Sequence, residues 1–333
     1  MDAPEGWALT LGSSDITIAV LDSGIDCDHP DLAGKCIEQI NFSSSSSITD
    51  LIGHGTHVAS IAAAETDNSV GTAGIAREAK LGSLKVCFEV EILPGYYTAY
   101  CDDSDVANAI VYAADQGYQV INMSLGGAEY SETFKIAVDY AWSKGAILVA
   151  GAGNEYGITK SYPAAYSNVI GVSATDAYDN LASFSTFSTD DDDWVSVAAP
   201  GDTILAAVPG EYCAGDPDCY AWKSGTSMAT PVVSGVAAMV WSYISDPTNT
   251  AVRDCIEMSA QKSGALGQNF LAWTKHGRIN LHDALLCVAP PEPNTPPIAL
   301  FNSAITSLNV DFTDRSQDSD GSIVSWSWDL GDG

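Results

Sequence analysis

The chain has 333 residues, 46% of them hydrophobic, which suffices for one large domain and a small appendage. It carries 43 acidic and 13 basic residues, and the formal net charge of −30 argues against nucleic acid or an anionic membrane as a partner, because both would repel the protein. No stretch of the sequence is apolar and long enough to cross a bilayer. An acidic composition is equally typical of a protein that is simply soluble and of one adapted to a salty environment. Salt screens the repulsion among the protein's own charges.

The first predicted elements lead to an acidic turn. The first five residues lack the basic and then apolar plan of a signal peptide, so we expect a mature or trimmed chain. Residues 4–15 are predicted to form a polar helical segment that precedes the first strand. Residues 16–21 have the pattern of a buried strand, and that strand ends at Asp22.

The next segments surround a histidine. Gly53-His54-Gly55-Thr56-His57 opens a helix of small residues that we expect to end near residue 66. A glycine-punctuated loop over 67–72 and a strand over 81–87 follow. Residues 88–103 are interpreted as a loop that holds one disulfide.

The middle of the chain alternates helices with apolar strands. Helices are predicted at 106–116 and 131–143, and a short strand from Val120 breaks into a glycine turn. Further strands are predicted at 146–150, 168–174 and 194–198. This alternation predicts an α/β fold with a parallel β-sheet flanked by helices on both faces, and a site at the carboxyl ends of the strands. Asp22, Ser124 and Asn154 all lie at such ends or just beyond them.

A later segment places a serine at the start of an apolar helix. Within residues 225–231 a turn that begins with glycine places Ser227 at the helix start. Pro231 is expected in the first helical turn, where its missing N–H is harmless. The free N–H groups at a helix start suit a nucleophile whose attack creates an oxyanion. A serine there is more often only an N-cap. However, Asp22, His54 and Ser227 follow one of the three known chain orders of a Ser-His-Asp triad.

Together these motifs closely resemble those of the subtilisin-like serine proteases, the subtilases. The resemblance covers residues 4–288 and implies a subtilisin-like fold. It implies that Ser227 attacks a peptide carbonyl, that His54 transfers its proton and that Asp22 holds His54 in the useful tautomer. Asn154 matches the asparagine with which the family stabilises the oxyanion. His57 is expected to be a packed structural residue.

The resemblance also implies a substrate groove and a calcium site. Substrate is expected to bind extended beside Ser124-Leu125-Gly126, in a pocket for large apolar or varied side chains. The other expected pocket residues are Gly151, Ala152, Gly153 and Ser161. A structural Ca²⁺ is expected at oxygen ligands, namely the side chains of Asp31 and Asn68 and the carbonyls of Thr66, Val70 and Thr72. A cleaved propeptide and a monomeric state are implied as well.

The eight cysteines fall in close couples without a Cys-x-x-Cys motif, which favours disulfides over a zinc site. Eight cysteines allow 105 pairings, and buried free thiols are the alternative. The simplest prediction pairs neighbours: Cys27 with Cys36, Cys87 with Cys101, Cys213 with Cys219, and Cys255 with Cys287. Disulfides imply an oxidising compartment, so we expect a secreted, extracellular protein.

Three segments divide the chain. Residues 1–288 are predicted to be the catalytic domain, and the proline-rich residues 289–297 a stiff linker. Residues 298–333 resemble the start of a polycystic-kidney-disease (PKD) type β-sandwich, particularly in Ser-Trp-Ser-Trp-Asp at 325–329. Thirty-six residues are too few for a β-sandwich of about 100 residues, so this segment is interpreted as a truncated module.

The sequence thus predicts a secreted serine endopeptidase that acts on proteins or peptides. One alternative is a catalytically inactive subtilase fold that binds an insoluble protein such as collagen through the PKD-like module. An esterase is a second, although the serine motif is not the Gly-x-Ser-x-Gly elbow. An intracellular regulatory subtilase is a third, and the cysteine couples oppose it.

Overall fold

The computed structural model describes residues 1–93, 96–210, 219–287, 298–306 and 309–317. The chain divides into two units, Met1–Val288 and Ala289–Gly333. The described strands of the first unit are β1 (Thr17–Asp22), β2 (Cys36–Asn41), β3 (Lys80–Lys85), β4 (Cys87–Leu93), β5 (Tyr96–Cys101), β6 (Val120–Met123), β7 (Ile147–Gly151), β8 (Val169–Thr175), β9 (Val197–Pro200), β10 (Ile204–Ala207), β11 (Tyr220–Lys223) and β12 (Gly277–Arg278). Its described helices are α1 (Ala3–Trp7), α2 (Gly55–Ala63), α3 (Asp103–Asp115), α4 (Glu132–Ser143), α5 (Thr226–Tyr243), α6 (Asn249–Met258) and α7 (Leu281–Leu286).

Eight strands form one sheet in the order β12-β9-β8-β7-β6-β1-β3-β2. All of its strand pairs are parallel. Parallel strands are buried on both faces, and β1 shows it: Ile18 and Val20 belong to one apolar cluster, while Ala19 and Leu21 belong to the other. The predicted α/β class is therefore confirmed.

Helices cover both faces of this sheet. Buried residues of α2, α5, α6 and α7 share the first apolar cluster, and those of α3 and α4 share the second. Residues 228–240 of α5 are all buried. A helix that is buried on every side explains why its sequence is apolar and small all round, without a polar face.

The predicted loop over 88–103 is wrong. Strands β4 and β5 form an antiparallel hairpin there, and a disulfide joins Cys87 to Cys101 at its base. Aromatic and β-branched residues on both sides of the sequence Pro94-Gly95 are the signal that predicts such a hairpin. The helical segment that precedes the first strand is also shorter than predicted, since α1 spans only Ala3–Trp7.

The position of Pro231 differs from the prediction too. Helix α5 begins at Thr226, so Pro231 is its sixth residue and lies in the second turn, not the first. A proline at this depth removes the N–H that would bond the carbonyl four residues earlier, which is the carbonyl of Ser227.

Further disulfides join Cys27 to Cys36 and Cys255 to Cys287. Cys219 is also disulfide-bonded, whereas its predicted partner Cys213 lies outside the described residues. In the parts of the chain that the structure describes, no helix is long and apolar enough to span a membrane.

The second unit contains an antiparallel strand pair, β13 (Phe301–Thr306) and β14 (Asn309–Asp314). The rings of Phe301 and Phe312 contact each other at 5.8 Å between centroids. The predicted linker 289–297 and the Ser-Trp-Ser-Trp-Asp motif lie outside the described residues.

Candidate active site

The parallel sheet brings the predicted site residues to one edge. Asp22 is the last residue of β1, and Ser124 follows the end of β6, which pairs with β1. Asn154 comes three residues after β7. His54 and Ser227 lie at the starts of α2 and α5. Carboxyl strand ends and helix starts meet at the same edge of such a sheet.

Asp22 and His54 form a close pair. The Asp22 side chain is buried, and its Oδ1 lies 2.7 Å from His54 Nδ1. The Ser23 backbone N–H donates to the same oxygen at 2.7 Å, and the Ser23 Oγ lies 3.2 Å from it. Because a carboxylate only accepts, Nδ1 carries the proton of the neutral ring, and Nε2 is left as the basic nitrogen.

The electrostatic surroundings favour the protonated ring of His54. Burial lowers the pKa of His54, but the charge of Asp22 and its hydrogen bond outweigh burial, so the net pKa is raised above 6.5. The side chain is still 29% exposed, which gives the ring access to a reactant. Lys223 opposes the shift from nearby; its ammonium donates to the Gly53 carbonyl at 2.7 Å.

A second buried carboxylate holds the loop that carries His54, and the sequence analysis missed it. Asp50 accepts the Ser23 hydroxyl at 2.8 Å and the N–H of Gly53 at 2.8 Å. It also accepts the N–H and the hydroxyl of Thr56 at 2.9 and 2.7 Å. An acidic residue just before a predicted helix start is the signal for such a cap.

Ser227 lies in the first turn of α5, and its hydroxyl bonds to a partner other than His54. The Oγ donates to the Ser124 carbonyl at 3.1 Å, and Ser124 Oγ donates to the Ser227 carbonyl at 2.8 Å. The structure therefore brings Asp22 and His54 into contact and holds Ser227 against Ser124. Hydrogen bonds of a reactive serine are often long or misaligned before a substrate binds.

Asn154 is anchored so that its amide nitrogen remains available. Its Oδ1 accepts the Thr226 N–H at 2.9 Å and the Thr226 hydroxyl at 3.2 Å. Asn154 and Ser227 both line a cavity of about 530 Å³. The Nδ2 group can therefore donate to an atom that is bound beside Ser227.

The segment 124–127 separates two cavities. The cavity of about 530 Å³ contains the predicted pocket residues Gly151, Ala152, Gly153 and Ser161. A Cβ on Gly126 would lie only 2.8 Å from Ser161 Oγ and 3.0 Å from the Tyr162 carbonyl oxygen, so a larger residue would force this wall to shift. The second cavity, of about 620 Å³, reaches from His54 to the β4–β5 hairpin at Tyr97–Cys101.

The predicted calcium ligands surround one buried carboxylate. Asp31 accepts the Asn68 amide and the Thr72 N–H, each at 2.9 Å, and the Val70 N–H donates to Asn68 at 3.0 Å. The Thr66 hydroxyl donates to the Ala64 carbonyl. Among the described residues no three His, Cys, Asp or Glu side chains cluster as a metal site. The predicted ligands, all oxygens, fit a hard cation in type, while N–H groups of the loop already bond both oxygens of Asp31.

His57 lies away from the Asp22–His54 contact. Its ring is fully buried, and Nε2 lies 3.0 Å from the Ala221 carbonyl in β11. Burial lowers the pKa of His57 to about 4, so the ring is neutral near pH 7. His57 therefore supports the strand that leads to Ser227.

The fold and this edge of the sheet define a subtilisin-like α/β protein. The chain belongs to the subtilase family, since residues 13–272 match the sequence model described as "Subtilase family". The prediction of a subtilisin-like serine protease is thereby confirmed at the level of the family.

Named relatives and a solved structure agree with this assignment. The chain is 44% identical to "Thermophilic serine proteinase" of Bacillus sp. (strain AK1), over 84% of this chain and 64% of that protein. It is 42% identical to "Thermitase" of Thermoactinomyces vulgaris, over 86% of this chain and 93% of that protein. The solved "Prenylagaramide maturation protease PagA" superposes with a TM-score of 0.71 at 27% identity, over 86% of this chain and 98% of that one.

Proposed function

We propose that the protein is a serine endopeptidase that hydrolyses peptide bonds in proteins through Ser227, His54 and Asp22. The observation that carries the proposal is the 2.7 Å contact between the buried Asp22 carboxylate and His54 Nδ1, at the sheet edge where α5 presents Ser227. This contact fixes the tautomer in which Nε2 can act as a base.

Acylation begins when the Ser227 hydroxyl turns from the Ser124 carbonyl towards His54. Its Oγ attacks the carbonyl carbon of the substrate while His54 Nε2 takes the hydroxyl proton. The Asp22 carboxylate stabilises the imidazolium that forms. His54 then protonates the departing amine nitrogen, the C–N bond breaks, and an acyl ester on Ser227 remains.

The negative oxygen of the tetrahedral intermediate needs fixed donors. Asn154 Nδ2 supplies one, because Asn154 Oδ1 is held by Thr226. The Ser227 N–H supplies the other, since N–H groups in a first helical turn lack an intrahelical acceptor. In deacylation a water oxygen attacks the ester while His54 takes one of its protons. The bond between the acyl carbon and Ser227 Oγ then breaks, Oγ takes the proton back from His54, and the acid leaves.

The substrate lies extended along residues 124–126 and places one side chain in the cavity of about 530 Å³. This volume accommodates large apolar or varied side chains. Glu155 and Lys160 both line this cavity, and Lys160 pairs with Asp192 at 2.8 Å. Because Asp192 compensates the charge of Lys160, Glu155 makes the lining more negative and favours basic side chains among those accepted.

The loop that contains the predicted calcium ligands has a structural role in the proposed enzyme. Ca²⁺ would be held by Asp31, Asn68 and carbonyls of the loop 66–72, where it would stabilise the loop.

The disulfides support an extracellular location, since they persist in oxidising environments. The enzyme acts as a monomer after removal of a propeptide, and the PKD-like module at 298–333 attaches it to insoluble protein.

A mixed peptide pool tests the proposed reaction. Wild type should cleave internal peptide bonds, and Ser227→Ala should cleave none while unfolding at the same temperature. The residues at the cleaved bonds would show the side-chain preference. A folded wild type that leaves the pool intact, with no peptide bound in the groove, would contradict the proposal.

A further inference from the structure

The carbonyl of Ser227 needs a donor from outside its own helix. In a regular α-helix it would accept the N–H of residue 231, but proline has no N–H. Ser124 Oγ takes this place and donates at 2.8 Å. Because the Ser227 hydroxyl donates back to the Ser124 carbonyl, Ser124 holds Ser227 at both its backbone and its side chain.

Two fully buried residues behind Ser124 fix the direction of this bond. Asn122 Nδ2 donates to Ser124 Oγ at 3.1 Å, and Ser234 Oγ of α5 donates to Asn122 Oδ1 at 2.8 Å. The Ser227 carbonyl can only accept, so the Ser124 hydroxyl must donate to it and accept from Asn122. The direction of each hydrogen bond from Ser234 through Asn122 and Ser124 to the Ser227 carbonyl is therefore fixed.

Asn122 lies in the interior of the sheet. It is in the central strand β6, between Val20 of β1 and Val149 of β7. Residues two apart in a strand share a face, so Asn122 and Ser124 both point towards α5. The network thus ties α5 to the same strand end that is proposed to bind the substrate backbone.

We propose that Asn122 is a positioning residue, which acts through Ser124 to fix the first turn of α5, and with it Ser227, relative to the substrate segment 124–126. The inference rests on the proposed function, because it concerns the geometry of that reaction. Asn122 touches no reacting atom. Its loss leaves Ser124 Oγ free to turn away from the Ser227 carbonyl, and the nucleophile then loses its fixed distance from the bound peptide.

A double-mutant cycle between Asn122→Leu and Ser124→Ala tests this inference. Leucine has a similar shape and no hydrogen-bonding group. Each single variant should lower kcat per titrated active site roughly tenfold and change KM less than about twofold. The double variant should be no slower than the slower single variant, because the two residues act in series. Effects that multiply, or a wild-type kcat in Asn122→Leu, would overturn the proposal.

Controls separate positioning from general destabilisation. Ser173→Ala removes another fully buried strand hydroxyl, one without a hydrogen-bond partner among the described residues, and should leave kcat unchanged. If Asn122→Leu does not fold, Ser234→Ala removes only the outer hydroxyl and should lower kcat roughly threefold, with no effect in the Ser124→Ala background. An unchanged kcat in Ser234→Ala would then overturn the proposal.

The cycle also separates this inference from the proposed function. If wild type cleaves peptides and Ser227→Ala does not, the endopeptidase stands, and the cycle alone decides on Asn122. If wild type cleaves nothing, the proposed function fails first, and the positioning role fails with it.

Discussion

At the scale of single residues, the pair of Asp22 and His54 determines how the protein responds to pH. The carboxylate lies 2.7 Å from Nδ1 and stabilises the imidazolium, so the pKa of His54 is above 6.5. An imidazolium cannot take the proton of Ser227. We therefore expect kcat/KM to rise with pH through a midpoint above 6.5, which a pH profile on a short peptide would measure.

The variant Asp22→Asn identifies the cause of that midpoint. It removes the charge that raises the pKa of His54, so the acid limb of kcat/KM should move to lower pH. The rate should also fall by a factor on the order of 10⁴, because an amide favours the wrong tautomer. An acid limb that keeps its wild-type midpoint would show that Asp22 does not control His54.

The burial of His57 predicts a separate effect of pH on the free energy of unfolding. Its pKa is about 4 in the folded protein and near 6.5 in the unfolded chain, so the unfolded chain binds more protons between these values. The contribution of His57 to the free energy of unfolding should therefore fall by about 3 kcal/mol as the pH drops from 6.5 to 4. Urea unfolding at several pH values, in the Ser227→Ala background to prevent self-cleavage, measures this change.

The matched variants for this test are His57→Gln and His282→Gln. The first should lack the contribution of His57 to the pH dependence, because glutamine can still donate to the Ala221 carbonyl but does not titrate. The second changes a partly exposed histidine and should preserve the dependence. The same slope in both variants would contradict the role given to His57.

At the scale of elements, the β4–β5 hairpin forms one wall of the cavity that reaches His54. The Cys87–Cys101 disulfide closes a separation of 14 residues, so Cys87→Ser/Cys101→Ser should lower the free energy of unfolding by about 3 kcal/mol. The KM for long peptides should rise as the wall loosens.

The Cys255–Cys287 disulfide provides the control for the hairpin, because neither cysteine lines the two cavities. Its removal should lower stability by a similar amount without raising KM. Denaturant curves and peptide kinetics on both double variants measure the two effects. An equal rise of KM in both variants would contradict a role of the hairpin in substrate binding.

The elements also show how far the sequence predicts this molecule. The strand before Asp22 and the helices after His54 and Ser227 were predictable, because apolar periodicity is local and each carries a specific motif. The contacts of Ser227 were not, because they join residues 103 positions apart. Asn122 was missed for the same reason, since its partner Ser234 lies 112 positions away. Asp50 has a local signal, because Gly53 and Thr56 follow it closely in sequence, and only its contact with Ser23 depends on the fold. The edge strand β2 was missed because its residues are only partly buried.

At the scale of the whole molecule, the net charge of −30 acts on stability. Repulsion among carboxylates opposes the compact state, and salt screens it over distances set by the Debye length, about 10 Å at 0.1 M and 3 Å at 1 M. We expect the melting temperature of Ser227→Ala to rise with NaCl and to level off between these concentrations. A melting temperature that is constant or falls with NaCl would contradict net self-repulsion.

We propose that His54 activates Ser227 as a nucleophile. The most direct test is the reaction of the folded protein with an aryl sulfonyl fluoride, followed by mass spectrometry of its peptides. We expect one label, on Ser227, with the labelling rate strongly reduced in His54→Ala and the label absent in Ser227→Ala. A label on another residue, or equal labelling of Ser227 in wild type and His54→Ala, would contradict the claim.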